Sequence, residues 1–205
     1  MGLALTTAEL ACKPDPPAAA ARDREVSAQD IERCRQGDRA ALERFVLTYQ
    51  NTVFAFLSRM VGNRPEVEDL AQEVFIRAHR ALPRFQLRPE ARVSTWLLKI
   101  AVRLVQDRRK RRRPVLVPLY DDVAADDLTH PEHAHRRREI ARAFERAASQ
   151  LSQPQRAVFV LAHFHGLTMA QIAETVGAPE NTVKTRLYRA RQRLQQLLSA
   201  MREAQ

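Results

Sequence analysis

Within the twelve residues from Thr182 to Arg193 stand Thr182, Lys184, Thr185, Arg186, Tyr188, Arg189, Arg191 and Arg193. These side chains bind rather than react. Lys and Arg neutralise phosphates and bond guanine edges, Thr is a short hydrogen-bonder, and Tyr offers a flat apolar contact and a hydroxyl. A second set has the opposite sign: Asp69, Gln72 and Glu73 are spaced so that a helix places them on one face. Such a cluster is often plain solvated surface. On a chain with 34 Lys and Arg against 24 Asp and Glu, a net charge of +10, it is suited to dock a basic protein surface. A paired nucleophile and base, a phosphate-cradling loop and a metal triad are all missing, with only five glycines in the chain. The residues argue against an enzyme and call for no metal and no cofactor.

The cations need a rigid element. From Pro179 on, Val183, Leu187, Ala190, Leu194 and Leu197 recur at helical spacing and leave the basic residues for the other faces. Just before them, Thr168 can cap a short helix with Met169, Ile172, Ala173 and Val176 as its apolar stripe, broken by Gly177-Ala178-Pro179. Two helices about a tight glycine turn, the second basic, form a helix-turn-helix whose second member suits a major groove. Upstream, Ile140, Ala143, Phe144, Ala147, Ala148 and Leu151 form one stripe, and Gln155 to His165 contributes Ala157, Val158, Val160, Leu161 and Phe164. Together these make a compact four-helix module.

The carboxylates lie in an earlier module. Ser27 can cap a first helix containing Ile31, and Gly37-Asp38 punctuates it. From Ala40, the positions Leu42, Phe45, Val46, Tyr49, Val53, Phe56, Leu57 and Met60 predict a helix of about five turns, stopped at Gly62 to Pro65. Pro65 to Phe85 reads as the next helix, with Val67, Leu70, Val74, Phe75, Ala78 and Leu82 inward. Arg84 to Thr95 reads as a loop. Ser94 can cap a helix that begins Thr95-Trp96-Leu97 and ends in the basic run Arg108 to Arg113, which could follow a phosphate backbone together with Lys99 and Arg103.

No sheet is needed, so the fold is all-α, in two small helical domains. Residues 1–26 read as a disordered tail, 27–113 as the first domain, 114–139 as a flexible linker and 140–205 as the second domain. The linker changes sign, with Asp121, Asp122, Asp126, Asp127 and Glu132, and roughly 26 residues stretch to about 85 Å or average about 30 Å as a coil. His130, His133 and His135 in it, like His163 and His165 later, are weak metal candidates in such a setting. Cys12 and Cys34 provide neither a disulfide framework nor a four-ligand zinc site, which fits a reducing cytoplasm. Leu3 to Ala11 lacks a basic leading segment and makes a poor secretion signal, and no segment suits membrane insertion.

Together these residues resemble the extracytoplasmic-function sigma factors, the smallest class of the bacterial primary-sigma superfamily. Asp69-Leu70-Ala71-Gln72-Glu73-Val74-Phe75 is similar to their region two-point-two signature, Trp96-Leu97-Leu98-Lys99-Ile100-Ala101 to their promoter-melting helix, and Leu151 to Leu198 to their region four. Order and spacing agree from about Asp30 to Leu198. The resemblance implies a subunit that binds core RNA polymerase and directs it to promoters, made of a region-two domain and a region-four domain joined by an extended acidic linker. Asp69, Gln72 and Glu73 would meet the clamp helices of the largest catalytic subunit. The loop before the promoter-melting helix would capture a flipped base of the non-template strand at the minus-ten element, with Arg92, Ser94, Thr95, Trp96, Lys99 and Arg103 as its DNA contacts. Thr182, Lys184, Thr185, Tyr188 and Arg189 would read double-stranded DNA at the minus-thirty-five element, Arg186 and Arg191 its phosphates. The linker would thread the polymerase cleft. Relatives are commonly sequestered by an anti-sigma factor.

Two positions depart from the pattern. Arg103 stands where many relatives have an Asn that helps at the minus-ten element, and Ser152-Gln153-Pro154 replaces a Pro-led opening of region four. The residues taken without the resemblance also fit an ordinary helix-turn-helix regulator that binds operator DNA without acting as a polymerase subunit.

Overall fold

The computed structural model describes residues 25–62, 64–86, 92–111 and 146–203. The expected tail over 1–24, the linker over 114–139 with its three histidines, and the stripe residues Ile140, Ala143 and Phe144 lie outside the described residues. All regular structure among the described residues is helical: α1 Ala28–Arg35, α2 Arg39–Val61, α3 Arg64–Ala81, a 3-10 turn Leu82–Arg84, α4 Val93–Arg111, α5 Gln153–His163, α6 Met169–Val176 and α7 Glu180–Glu203, with residues 146–149 helical as well.

Local chemistry explains the helix ends. The Ser27 side chain accepts the Asp30 N–H at the start of α1, and Asp38 does the same for Ala41 at the start of α2, each satisfying a donor that a helix cannot satisfy within itself. Gly62 closes α2 in the left-handed region at φ 81°, which a residue without Cβ adopts freely. In α5 the Ser152 N–H donates to Gln155 Oε1 at 3.1 Å and the Ser152 hydroxyl to the same atom at 2.8 Å. Thr168 and Gln171 form a full capping box on α6.

Three starts and stops differ from the sequence expectation. The α3 helix ends at Ala81, and Leu82–Arg84 tightens into a 3-10 turn with Pro83. Arg35 holds that turn from far upstream, donating to the carbonyls of Leu82 and Phe85. The α5 helix begins two residues before the expected Gln155. The α4 helix begins at Val93, so Ser94 is not its cap but lies in its first turn. Burial of Val93 draws the start back by two residues, from Thr95 to Val93, and the Arg92 carbonyl accepts the Trp96 N–H at 3.1 Å. The Ser94 hydroxyl donates instead to Glu25 Oε1 at 3.1 Å, while Tyr49 donates to the other oxygen of Glu25 at 3.2 Å and accepts the Val26 N–H at 3.1 Å. The end of the expected tail is thereby tied to both α2 and α4.

In the first module α2, α3 and α4 pack on one another, with α1 against α2, around Phe45, Val53, Phe56, Leu57, Val74, Leu97, Leu98 and Ala101. In the second, α5, α6 and α7 pack around Leu161, Ile172, Val183 and Leu194. The two modules touch: α4 meets α6 and α2 meets α5, and the buried residues of both belong to one cluster. At the junction Arg156 donates to the Met60 carbonyl at 3.3 Å, the Arg59 guanidinium lies 4.3 Å from the Phe164 ring centre, and Lys99 pairs with Glu174 at 3.0 Å.

His165 meets Phe56 edge-on across the junction, with ring centres 5.8 Å apart. Its buried Nε2 has no hydrogen-bond partner. Burial, helped by the Arg59 charge, pulls its pKa down from 6.5 to about 4. The unfolded chain takes up a proton near pH 6.5 that the folded ring refuses until about pH 4, so stability falls as pH drops through that window. The full difference corresponds to about 3 kcal/mol. Thermal melts at pH 7.0, 6.0, 5.0 and 4.5 are expected to show a steady decline in midpoint, and a His165→Phe variant a flatter profile; parallel profiles would place the titration elsewhere.

Candidate nucleic-acid and protein interfaces

On α3 the inward stripe of Val67, Leu70, Val74 and Ala78 is buried. It turns Asp69 and Gln72 fully outward, with Glu73 half-buried beside them. Glu73 Oε1 holds Arg77 Nε at 2.6 Å one turn on. Exposed pairs of this kind contribute about 0.3–0.5 kcal/mol, so Glu73 remains open to exchange for a stronger cation. The face is acidic, with Glu73 partly neutralised by Arg77.

The α4 helix presents a different surface. At 3.6 residues per turn, Arg92, Thr95, Trp96, Lys99 and Arg103 share the side away from the buried Leu97, Leu98, Ala101 and Val105. Ser94 projects from the other side, where it meets Glu25. The structure thus groups five of the six residues expected at the minus-ten element and separates the sixth. Trp96 is half-buried and lies against Phe85 at 4.4 Å between ring centres, so its ring is anchored from below. Lys99 Nζ is engaged by Glu174 of α6.

The α7 helix buries Val183, Leu187, Ala190 and Leu194. The opposite side carries Lys184, Thr185, Tyr188 and Arg189, all exposed, Tyr188 at 62%. Half-buried Thr182 lies beside them at the start of the helix, and Arg186 and Arg191 flank the row on either side. Hydrogen bonding within the helix decides which atoms remain to bind a partner. Thr185 donates its hydroxyl to the Asn181 carbonyl at 2.9 Å, which leaves it as an acceptor. Tyr188 accepts from Gln192 Nε2 at 2.7 Å, which leaves its own proton to donate. A reader of base edges needs both kinds.

Sequence reasoning missed the ties to Glu25, Glu174 and His163, because each partner is remote in sequence. Among the described residues no group of three or more His, Cys, Asp or Glu is placed to hold a metal ion, and no helix is long and apolar enough to cross a membrane.

Comparison with known proteins follows the same division. The family model for Sigma-70 region 2 matches residues 45–115, and that for Sigma-70 region 4 matches residues 141–194. The RNA polymerase sigma-H factor of Pseudomonas aeruginosa is 34% identical over 187 residues, covering 86% of this chain and 96% of the relative. The chain belongs to the extracytoplasmic-function sigma factors. The SigW sigma factor of Bacillus subtilis, also of this group, is 31% identical over 179 residues, covering 82% of this chain and 94% of its own. The sigma factor therefore binds core RNA polymerase and promoter DNA, and serves transcription initiation. The operator-binding regulator is not favoured. Two solved structures share the fold. CnrH, in complex with the cytosolic domain of CnrY, gives a TM-score of 0.61 at 22% identity, covering 83% of this chain and 96% of that one. RpoE of Bartonella quintana, in complex with the anti-sigma factor NepR, gives 0.59 at 23%, covering 77% and 96%.

The α7 helix is aimed by the turn before it. Gly177 has φ 67° and closes α6, and a Cβ built there meets nothing within 4 Å. Replacement by Ala consequently adds backbone strain and no clash, about 1–2 kcal/mol. A Gly177→Ala variant is expected to melt lower while Gly177→Asn, which tolerates this conformation better, melts between the two; equal midpoints for Ala and wild type would remove the conformational argument.

Proposed function

We propose that this sigma factor divides its two tasks by charge. Asp69, Gln72 and Glu73 on α3 dock the basic clamp helices of the polymerase. Arg92, Thr95, Trp96, Lys99 and Arg103 on and just before α4 hold the melted non-template strand at the minus-ten element, and Ser94 supports that surface by pinning the start of α4 to Glu25. Lys184, Thr185, Tyr188 and Arg189, with Thr182, read the minus-thirty-five element in the major groove, while Arg186 and Arg191 grip the phosphates on either side.

The observation that carries this reading is the opposition of signs on separate helices. A carboxylate face stands clear on α3, whereas the exposed row of α7 is cationic. Gathered on one helix the two rows would neutralise each other, as the single Glu73–Arg77 pair does on a small scale. In this division residues 27–113 serve as the region-two domain, 114–139 as the acidic linker threading the cleft and 140–205 as the region-four domain. Extruding a base at the minus-ten element costs a few kcal/mol, which the combined polymerase and phosphate contacts offset. The chain catalyses no reaction of its own and works in the cytoplasm, where its polymerase is. CnrH and RpoE are each held by a partner in their solved complexes, and an anti-sigma partner of that kind, released on a signal, belongs to the same reading.

Asp69→Arg combined with Glu73→Arg is expected to abolish co-purification with core polymerase while the helical circular dichroism stays unchanged; full retention would discard the docking face. Lys184→Ala and Arg189→Ala are each expected to weaken promoter binding by about 1–3 kcal/mol and to alter preference at the upstream element only. A loss equal across all sequences would reassign both to phosphates. With about five phosphate contacts, log affinity should fall against log salt with a slope near −4.5.

A further inference from the structure

Arg191 lies at the flank of the recognition row and is exposed. Its guanidinium is nevertheless tethered: Nε donates to Nε2 of His163, the last residue of α5, at 3.2 Å. His163 is itself held by Phe159, one turn earlier, with ring centres 4.3 Å apart and planes tilted by 30°. Phe159 is buried, so the chain of support runs from the core through two stacked rings to an exposed cation.

We infer that His163 is a positioning residue for Arg191, fixing its guanidinium for a phosphate at the edge of the upstream promoter element. This rests on the reading of Arg191 as a phosphate contact. An unattached arginine has many rotamers, and binding must freeze them. Guanidinium presents five N–H donors in a rigid fork. Spending the Nε donor on His163 orients the plane and leaves the two terminal amino groups for the paired contact that phosphate oxygens accept. The imidazole serves only while neutral, with Nε2 as acceptor and the proton on Nδ1. Burial first, and the Arg191 charge second, pull its pKa down from 6.5 to about 4, so the acceptor persists at neutral pH.

A recognition role and a merely structural one separate because they move stability and binding differently. His163→Leu keeps apolar bulk against Phe159 and removes the acceptor, whereas His163→Gln keeps an acceptor. The probe is holoenzyme assembled from core polymerase and the full-length chain, on a duplex promoter that the wild-type holoenzyme selects from a random library. His163→Leu is expected to leave the thermal midpoint unchanged or higher, yet to weaken promoter binding about fivefold, the effect of freeing one long side chain. Arg191→Ala should weaken binding at least as much and make the salt slope shallower by about 0.9. His163→Leu added to Arg191→Ala should cost nothing more, and His163→Gln should recover most of the loss. If His163→Leu leaves affinity unchanged while Arg191→Ala lowers it, the positioning role is overturned and the phosphate contact stands. If Arg191→Ala itself has no effect, the phosphate contact fails and the positioning role falls with it.

Discussion

Each helix of this chain has one apolar stripe to bury, and that requirement decides where every charge ends up. On α7, burial of Val183, Leu187, Ala190 and Leu194 leaves the side chains of Lys184, Thr185, Tyr188 and Arg189 in one outward row. On α3, burial of Val67, Leu70, Val74 and Ala78 does the same for Asp69 and Gln72. Apolar burial at roughly 25 cal/mol per Å² outweighs the small energies of exposed ion pairs, so the core sets the orientation and the binding residues inherit it. A sigma factor needs surfaces that stay fixed while polymerase and DNA press on them. Orientation by the core provides this for the rows on α3 and α7, whereas on α4 Trp96 and Lys99 also make contacts within the fold.

The two modules also share a junction. Arg156 reaching the Met60 carbonyl, Arg59 over Phe164 and His165 against Phe56 are short-range contacts that join α2 to the second module. Glu174 reaches from α6 to Lys99 on α4, one of the residues proposed to hold the melted strand. In this arrangement the carboxylate face of α3 and the outward row of α7 stay exposed while Lys99 has an internal partner.

Periodicity made the helices legible. The stripe from Leu42 to Met60 marks α2 almost to its ends, and Ser27, Thr168 and Gly177 mark boundaries because capping and left-handed turns are chemistry of one or two residues. The start of α4 departs from its local signal because Ser94 has the chemistry of a cap, whereas the burial of Val93 depends on helices distant in sequence. The candidate surfaces were legible to the extent that they are stripes: the row on α7 and the trio on α3 follow from spacing alone. Pairings across the fold were not. Nothing near Ser94 points to Glu25, nothing near Arg35 points to Leu82 and Phe85, and nothing in the row of cations singles out Arg191 as the one tied to a histidine 28 residues earlier.

Carboxylates stand in or at the starts of α1 and α2, whereas α5 and α6 open with uncharged pairs. Asp38 opens α2 and Asp30 sits in the first turn of α1, paired with Arg44. In the second module, α5 and α6 are opened by Ser152 with Gln155 and by Thr168 with Gln171. An uncharged amide reaches back to the backbone there, in a place where glutamate serves as well in a capping box. Glutamate in those two places would add negative charge, beyond that of Glu180 in the first turn of α7, to the part of the molecule that must approach a polyanion, and each such charge repels phosphate. Amides close the starts of α5 and α6 without that repulsion, through hydrogen bonds between uncharged groups that salt screens little.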